Sequence, residues 1–186
     1  MKKSLPTGLC VLIALALVAF GLLYGTYTGY TEDRREVNAL LEGENGLLDV
    51  LFYRGADGLN LHVVAGRHLP AGNAQLAALE TASRTLQKPD EPLSVYAQAD
   101  QSLENAAKAV CEQLKQTPGF QASERDRKYL DMLTADLAAL SASAAVSAYN
   151  QAAADFNTQL AAPLTGALAS LMGIDACPLF EQGGAQ

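Results

Sequence analysis

Tryptophan is absent from the 186 residues, aromatic side chains make up 6% of them, and there are only 2 histidines and 3 cysteines. Scarce aromatics beside abundant alanine and leucine argue against a β-sandwich and for a helical bundle. His62 and His68 are six residues apart, which puts them roughly 120° apart around a helix, so they do not readily share a metal. Neither has a cysteine nearby or a second ligand at i+3 or i+4, and both read as surface or boundary histidines. The chain has no glycine-rich phosphate loop, no HExxH and no GxSxG, so the chemistries those motifs carry are not expected. Asp131, Asp136 and Asp155 are spread along one stretch without forming an acid/base pair. No cofactor, no metal and no enzymatic activity are expected. Positive charge is also short: 13 basic against 20 acidic residues leave a net charge of −7, which argues against nucleic acid or acidic lipid as partners.

What the chain does have is a stretch without charge, Leu5 to Tyr30. From Gly8 to Gly25 it is long enough to cross a hydrocarbon core of roughly 30 Å at about 1.5 Å per helical residue. Lys2 and Lys3 precede it. Tyr24, Tyr27 and Tyr30 follow at i, i+3 and i+6, where interfacial tyrosines would line one helix face. A cleaved signal peptide is the alternative, but Leu23-Tyr24-Gly25 offers one of the two small residues that cleavage needs. Cys10 is not a lipoprotein cysteine, because the apolar run follows it. Cys111 and Cys177 either pair outside the cytoplasm or stay as buried free thiols. The lysines place the N-terminus inside and the remaining domain outside, against Arg34 and Arg35, which acids flank. With one span removed, about 155 residues remain, enough for one domain.

After the anchor the apolar residues recur at helical spacing. Thr31, Glu32 and Asp33 either start a new helix or continue the membrane helix. Leu41, Leu48, Phe52, Ala56, Leu59 and Val63 then form one stripe, expected to face the core. Gly43, Gly46, Gly55 and Gly58 lower the helix propensity, and close approach of a neighbouring helix is their expected use. Asn73 is placed to cap a second helix with Leu76, Leu79 and Leu86 inside, and Lys88 to Pro92 breaks it. A third helix puts Tyr96, Ala99, Leu103, Ala107, Val110 and Leu114 on one side. Ser123 with Asp126 resembles a capping box for a fourth, and Glu124 and Lys128 form an i, i+4 pair on it. The fourth helix runs through Leu130, Leu133, Leu137, Leu140, Ala144, Ala148, Phe156 and Leu160 to Pro163. A short apolar helix, Leu164 to Met172, follows, and Gly183-Gly184 closes a frayed tail.

The expected fold is therefore all-α: an antiparallel four-helix bundle preceded by one N-terminal transmembrane helix. The alternative is three long arms, the second broken at Pro89. The expected divisions are 1–30 for the stub and span, 31–173 for the bundle and 174–186 for the tail.

Arg54 and Asp57, at i, i+3, read as a local helix pair. Tyr149-Asn150 and Phe156-Asn157 repeat an aromatic–amide pair after seven residues, so both aromatics share one face and both amides the adjacent one. The amides either find partners inside the fold and fix its register, or line a ligand or partner groove.

These pairs, with Pro163, Ala169, Gly173-Ile174 and Leu179-Phe180-Glu181, resemble the C-terminal end of the LemA family. That family's pattern reads YN, five residues, an aromatic with Asn, a proline-led short helix, GF and a final aromatic-Glu. Here Phe156 replaces the second Tyr, and Ile174 replaces the Phe after Gly. Arg54-Gly55-Ala56-Asp57 with Asn60-Leu61 is similar to the family's RRAD-LIPNLV element, with one arginine, no proline and an early asparagine. Before the YN pair, Ala145, Val146 and Ser147 stand where the family usually carries arginine, and Ala139 where it favours glutamate. The resemblance implies a membrane-anchored, antiparallel four-helix domain with no assigned activity. The family is often drawn with a short N-terminus outside, opposite to the lysine reading.

The expected function is a non-enzymatic scaffold or adaptor for another envelope protein, single-pass in a bacterial inner (cytoplasmic) membrane with its soluble domain outside. A sensory or small-ligand-binding bundle is the alternative. Its expected partners are the bilayer, through residues 5–30, and another membrane or envelope protein.

Overall fold

The computed structural model describes residues 7–43 and 45–180, and every regular element among them is helical. The first, α1 (Thr7–Ala39), is long and apolar enough to cross a membrane. It runs without interruption past residues 30 and 31, so the charged segment continues the apolar helix and starts no new one. Thr28 and Thr31 donate their hydroxyls back to the carbonyls of Tyr24 (2.9 Å) and Tyr27 (2.7 Å), and the helix continues through both. Lys2 and Lys3, on which the orientation reading rests, lie outside the described residues.

α1 ends where Gly43 (φ +103°) and Asn45 (φ 67°) take left-handed backbone. α2 (Leu47–Ala65) begins without a side-chain cap. Its first donors are satisfied instead by the end of α1, Leu47 N–H reaching Leu40 O and Leu48 N–H reaching Leu41 O, both at 3.1 Å. The expected continuous helix into Val63 is thus two helices joined by a turn.

The face of α2 also differs from expectation. Phe52 and Val63, on the stripe assigned to the core, are 48% and 56% exposed, while Leu47, Leu51, Arg54, Gly55, Gly58 and Leu61 point inward. Two features turn the helix this way. Arg54 is bound to the interior, and Gly55 and Gly58 admit α3 (Ala74–Leu86) so closely that a Cβ at Gly55 would lie 2.7 Å from Ser83 O. An apolar stripe therefore remains on the outside of α2.

The next pair follows the expected pattern. Asn73 caps α3 by accepting from Gln75 N–H (2.9 Å) and Leu76 N–H (3.2 Å), and Leu76, Leu79 and Leu86 are buried. In α4 (Leu93–Lys115) the six residues from Tyr96 to Leu114 named for its inner side are all buried. The Tyr96 hydroxyl ties down the Pro89–Pro92 turn, donating to Lys88 O at 2.5 Å and accepting from Glu91 N–H at 3.3 Å.

A short α5 (Pro118–Ala122) buries Phe120 and leads to α6 (Glu124–Ser141), capped by Ser123. The single helix expected through Leu160 is broken at Ala142–Ser143, and Ser143 caps a separate α7 (Ala144–Leu160). Just before the break, Leu137 O accepts both Arg54 Nη1 (3.1 Å) and Ser141 Oγ (3.0 Å). The inner face shifts accordingly. Leu130, Leu133 and Leu137 give way to Val146, Tyr149, Ala153 and Phe156, while Ala144 and Ala148, expected inside, are exposed. Residues 124–160 are also apolar enough over their joint length to cross a membrane, but Leu130, Leu133, Leu137, Val146, Tyr149, Ala153 and Phe156 are buried within the fold.

Pairings fix the directions. Arg54 meets Leu137 and Arg67 meets Asp126, so α2 runs opposite to α6. Tyr30 meets Gln159 near the start of their contact, so α1 meets the C-terminal end of α7 and α2 continues alongside α6. α2 is the hub, packed against α3, α4, α6 and α7. After Pro163, α8 (Thr165–Leu171) lies against α1 and α7. Gly173 (φ +78°) then turns the chain into an extended segment over 174–180. Gly183-Gly184, expected as a frayed end, lie outside the described residues.

Candidate functional site

The repeated aromatic–amide pairs of α7 meet at one place. Tyr149 and Phe156 are buried, and the half-buried amides beside them clamp the extended segment. Asn150 Nδ2 donates to Phe180 O (2.8 Å), while its Oδ1 accepts from Phe180 N–H (2.9 Å). Asn157 treats Cys177 the same way, at 2.8 and 2.7 Å. The spacing explains the fit. Two helical turns advance about 10.5 Å, and three residues of extended or polyproline-like chain advance about 9–10 Å. Ile174, Cys177 and Phe180 are buried, while Asp175, Ala176 and Leu179 are exposed, giving the three-residue period of such a segment. The groove beside the amides is thus filled by residues 174–180 of the same chain.

α1 closes this site from the other side. Arg34 donates to Asp175 O and holds its guanidinium 5.8 Å from the Phe156 ring centre. Tyr30 donates to Gln159 O at 2.8 Å and stands edge-on to Phe156. Tyr24 and Tyr27 are exposed as interfacial tyrosines would be, but Tyr30 is buried and belongs to this packing. Phe180 stacks edge-on against Tyr149, whose buried hydroxyl has no hydrogen-bond partner among the described residues. Burial pushes the Tyr149 hydroxyl and the Cys177 thiol above their ordinary pKa values, so neither is a ready nucleophile.

A second polar cluster lies at the middle of the fold. Arg54, 1% exposed, does not pair with Asp57 as its spacing suggests. Its Nε meets Asp100 Oδ1 at 2.7 Å, its Nη2 meets Glu104 Oε2 at 3.3 Å, and its Nη1 serves Leu137 O. Asp100 and Glu104 were not singled out from sequence. The available signal was the position of Asp100 between Ala99 and Leu103, on the inner face of α4, where a carboxylate needs a buried cation. Of the other family-motif positions, Asn60 and Pro163 are exposed, Gly173 supplies the left-handed turn, Phe180 is clamped, and Glu181 lies outside the described residues.

A third cluster holds serine, histidine and aspartate, but not in catalytic order. Asp126 accepts from Arg67 at Oδ1 (2.8 Å) and meets both His68 Nε2 (2.7 Å) and Ser123 Oγ (3.1 Å) at Oδ2. The histidine touches the carboxylate and not the hydroxyl, so it has no route to activate Ser123. His62 instead faces Glu80 at 3.8 Å. Among the described residues no group of three His, Cys, Asp or Glu side chains could hold a metal, and Cys10, Cys111 and Cys177 are all free. Cys111 is raised to about 11, first by burial.

Two carboxylates carry opposite pH signatures. The His68 bond, then Ser123 and Arg67, hold Asp126 below the usual range, so its stabilisation is present above about pH 4 and lost as pH falls through its folded value. Burial and then Asp136 push Asp57 up, so its ionisation is a cost at neutral pH that vanishes below about pH 4. Asp126→Asn is expected to lower Tm at pH 7 and Asp57→Asn to raise it. Both differences should shrink towards zero in acid, and melts at pH 7 and pH 3 check this. Comparisons with protein-family models, with curated proteins and with solved structures returned no match for this chain.

Proposed function

We propose that this is a LemA-like, single-pass membrane protein whose helical domain is a non-enzymatic scaffold or adaptor for another envelope protein. The soluble part is read as an antiparallel bundle of four arms, α1 with α2, α3, α4, and α6 with α7. The proposed setting is a bacterial inner membrane with the bundle on the extracytoplasmic side. The motif residues Arg54, Asp57, Asn60, Asn150, Asn157, Pro163 and Gly173 support the family reading, and the length and apolarity of α1 support the anchor.

One observation carries the adaptor role: the outer stripe of α2. Phe52, Ala56, Leu59 and Val63 recur at helical spacing with their outer members exposed, although a helix apolar on two faces normally has both covered. A partner presenting an apolar surface of its own is the natural cover.

The test is in-cell photo-crosslinking of the full-length protein from benzoylphenylalanine at Tyr53 or Val63, beside probes at Ser102 and Tyr129 on other exposed faces. The expected result is one envelope protein captured from the α2 positions and lost on Phe52→Glu. The same abundant bystanders from all four positions would remove the adaptor reading.

A further inference from the structure

The exposed apolar residues are not confined to the span and to α2. Leu171, 85% exposed, and Leu164, 67% exposed, stand out on α8 and just before it. They are seven residues apart, two helical turns, and so point to the same side. Gly166 and Ala169 form the opposite, buried side, against α1 and α7. No charged side chain occurs between Asp155 and Asp175, the longest uncharged stretch outside α1.

α1 sets the level of the first end of this patch, and Arg34, which reaches Asp175 O, stands one turn further along α1 beyond its far end. The Tyr30 hydroxyl lies 3.1 Å from Thr165 Oγ1, at the start of α8, and Thr26, one turn lower on α1, is buried. Tyr30 is five residues beyond Gly25, a rise of about 7–8 Å past the apolar run. The headgroup layer is about 5–8 Å thick on each side of the hydrocarbon, and interfacial helices sink about 5–10 Å into it. Exposed Tyr27 lies about 4–5 Å below Tyr30 on the same helix, between it and the end of the apolar run.

We infer that α8 is a second membrane contact: it lies in the headgroup layer beside the span and inserts Leu164 and Leu171 into the bilayer surface. The contact is hydrophobic and not electrostatic, since α8 offers no cation and the chain is acidic overall. It is indifferent to anionic lipid, unlike a basic amphipathic helix. This rests on α1 crossing the bilayer and not on the adaptor role. The contact fixes the rotational setting of the bundle, because a span alone permits turning about its own axis while two side-by-side contacts do not.

The absence of tryptophan makes the test direct. Full-length protein carrying Leu164→Trp or Leu171→Trp is reconstituted into neutral phosphatidylcholine vesicles with plain or brominated acyl chains. Leu15→Trp in α1 reports the span, and Tyr129→Trp on α6 reports water. The expected result is blue-shifted emission from both α8 positions, with most of it lost in brominated lipid and no change on adding anionic lipid or salt. Emission and quenching like those of Tyr129→Trp, while Leu15→Trp is quenched, would overturn the α8 contact alone. Failure of Leu15→Trp to be quenched would overturn the span and this inference with it.

Discussion

Arg54→Met lowers the unfolding free energy by about 3–5 kcal/mol, the usual loss when one partner of a buried ion pair is removed. The native guanidinium satisfies Asp100, Glu104 and the Leu137 carbonyl from three different directions. Its removal leaves the 1%-exposed Asp100 without its cation, and Glu104 is only partly able to turn to water. That carboxylate escapes by taking up a proton, so the penalty in the variant is greatest at neutral pH and shrinks as pH falls. Asp100→Leu is costly as well but less so, since Arg54 keeps Glu104 and Leu137 O. The decisive measurement is the double variant Arg54→Met with Asp100→Leu, which removes both charges and leaves apolar groups of comparable size. Denaturant unfolding should show it recovering most of the single-variant loss. Additive losses would mean that Arg54 acts through its carbonyl contact and packing, with the ion pair contributing little.

Asn157→Leu releases the C-terminal segment. The substitution strands the N–H and C=O of Cys177, two groups whose lost partner costs about 1–3 kcal/mol when water cannot replace it. The Cys177 thiol is a built-in reporter, because it is buried only while the segment is docked. In a Cys10→Ser background its modification by a maleimide should accelerate roughly 5- to 150-fold, the range that 1–3 kcal/mol of easier local opening allows. Cys111 on α4 is the internal reference and should keep its rate. Adding Asn150→Leu should increase the effect, since Phe180 is then unclamped as well. An unchanged Cys177 rate in the double variant would show that apolar contacts, with Phe180 against Tyr149, hold the segment without the amides.

What could be read in advance depended on contrast between faces. α3 and α4 set small or apolar residues against polar or charged ones, and there the apolar inner positions follow from spacing, while the buried Asp100 does not. α2 has little contrast: apolar residues stand on two sides, and its only arginine is on the inner one, so periodicity pointed to the wrong stripe. The α6–α7 break was marked only by Ser143, an N-cap residue among other serines of the run, and it falls one turn after Leu137, whose carbonyl receives Arg54 from 83 positions away. The amide pairs were visible as a pattern, but their partner is an extended segment whose recognition needs the third dimension. The tyrosines illustrate both outcomes, since Tyr24 and Tyr27 face outward and Tyr30, on the same sequence pattern, does not.

The unbroken α1 has a further consequence for reach. Between the level where Tyr30 meets Gln159 and the level where Arg54 meets Leu137, the facing α6–α7 arm covers 22 residues, or roughly 33 Å at about 1.5 Å each. With α1 as the proposed span, an upright arm would carry the stripe of α2 roughly 35–50 Å clear of the hydrocarbon edge. For the proposed adaptor, that height would suit a projecting domain of the partner and not its short interhelical loops. α1 has no break up to Ala39, 14 residues or about 21 Å beyond Gly25. A tilt of the proposed span by about 20° would carry that end of the arm sideways by about 7 Å, so its position would follow bilayer thickness.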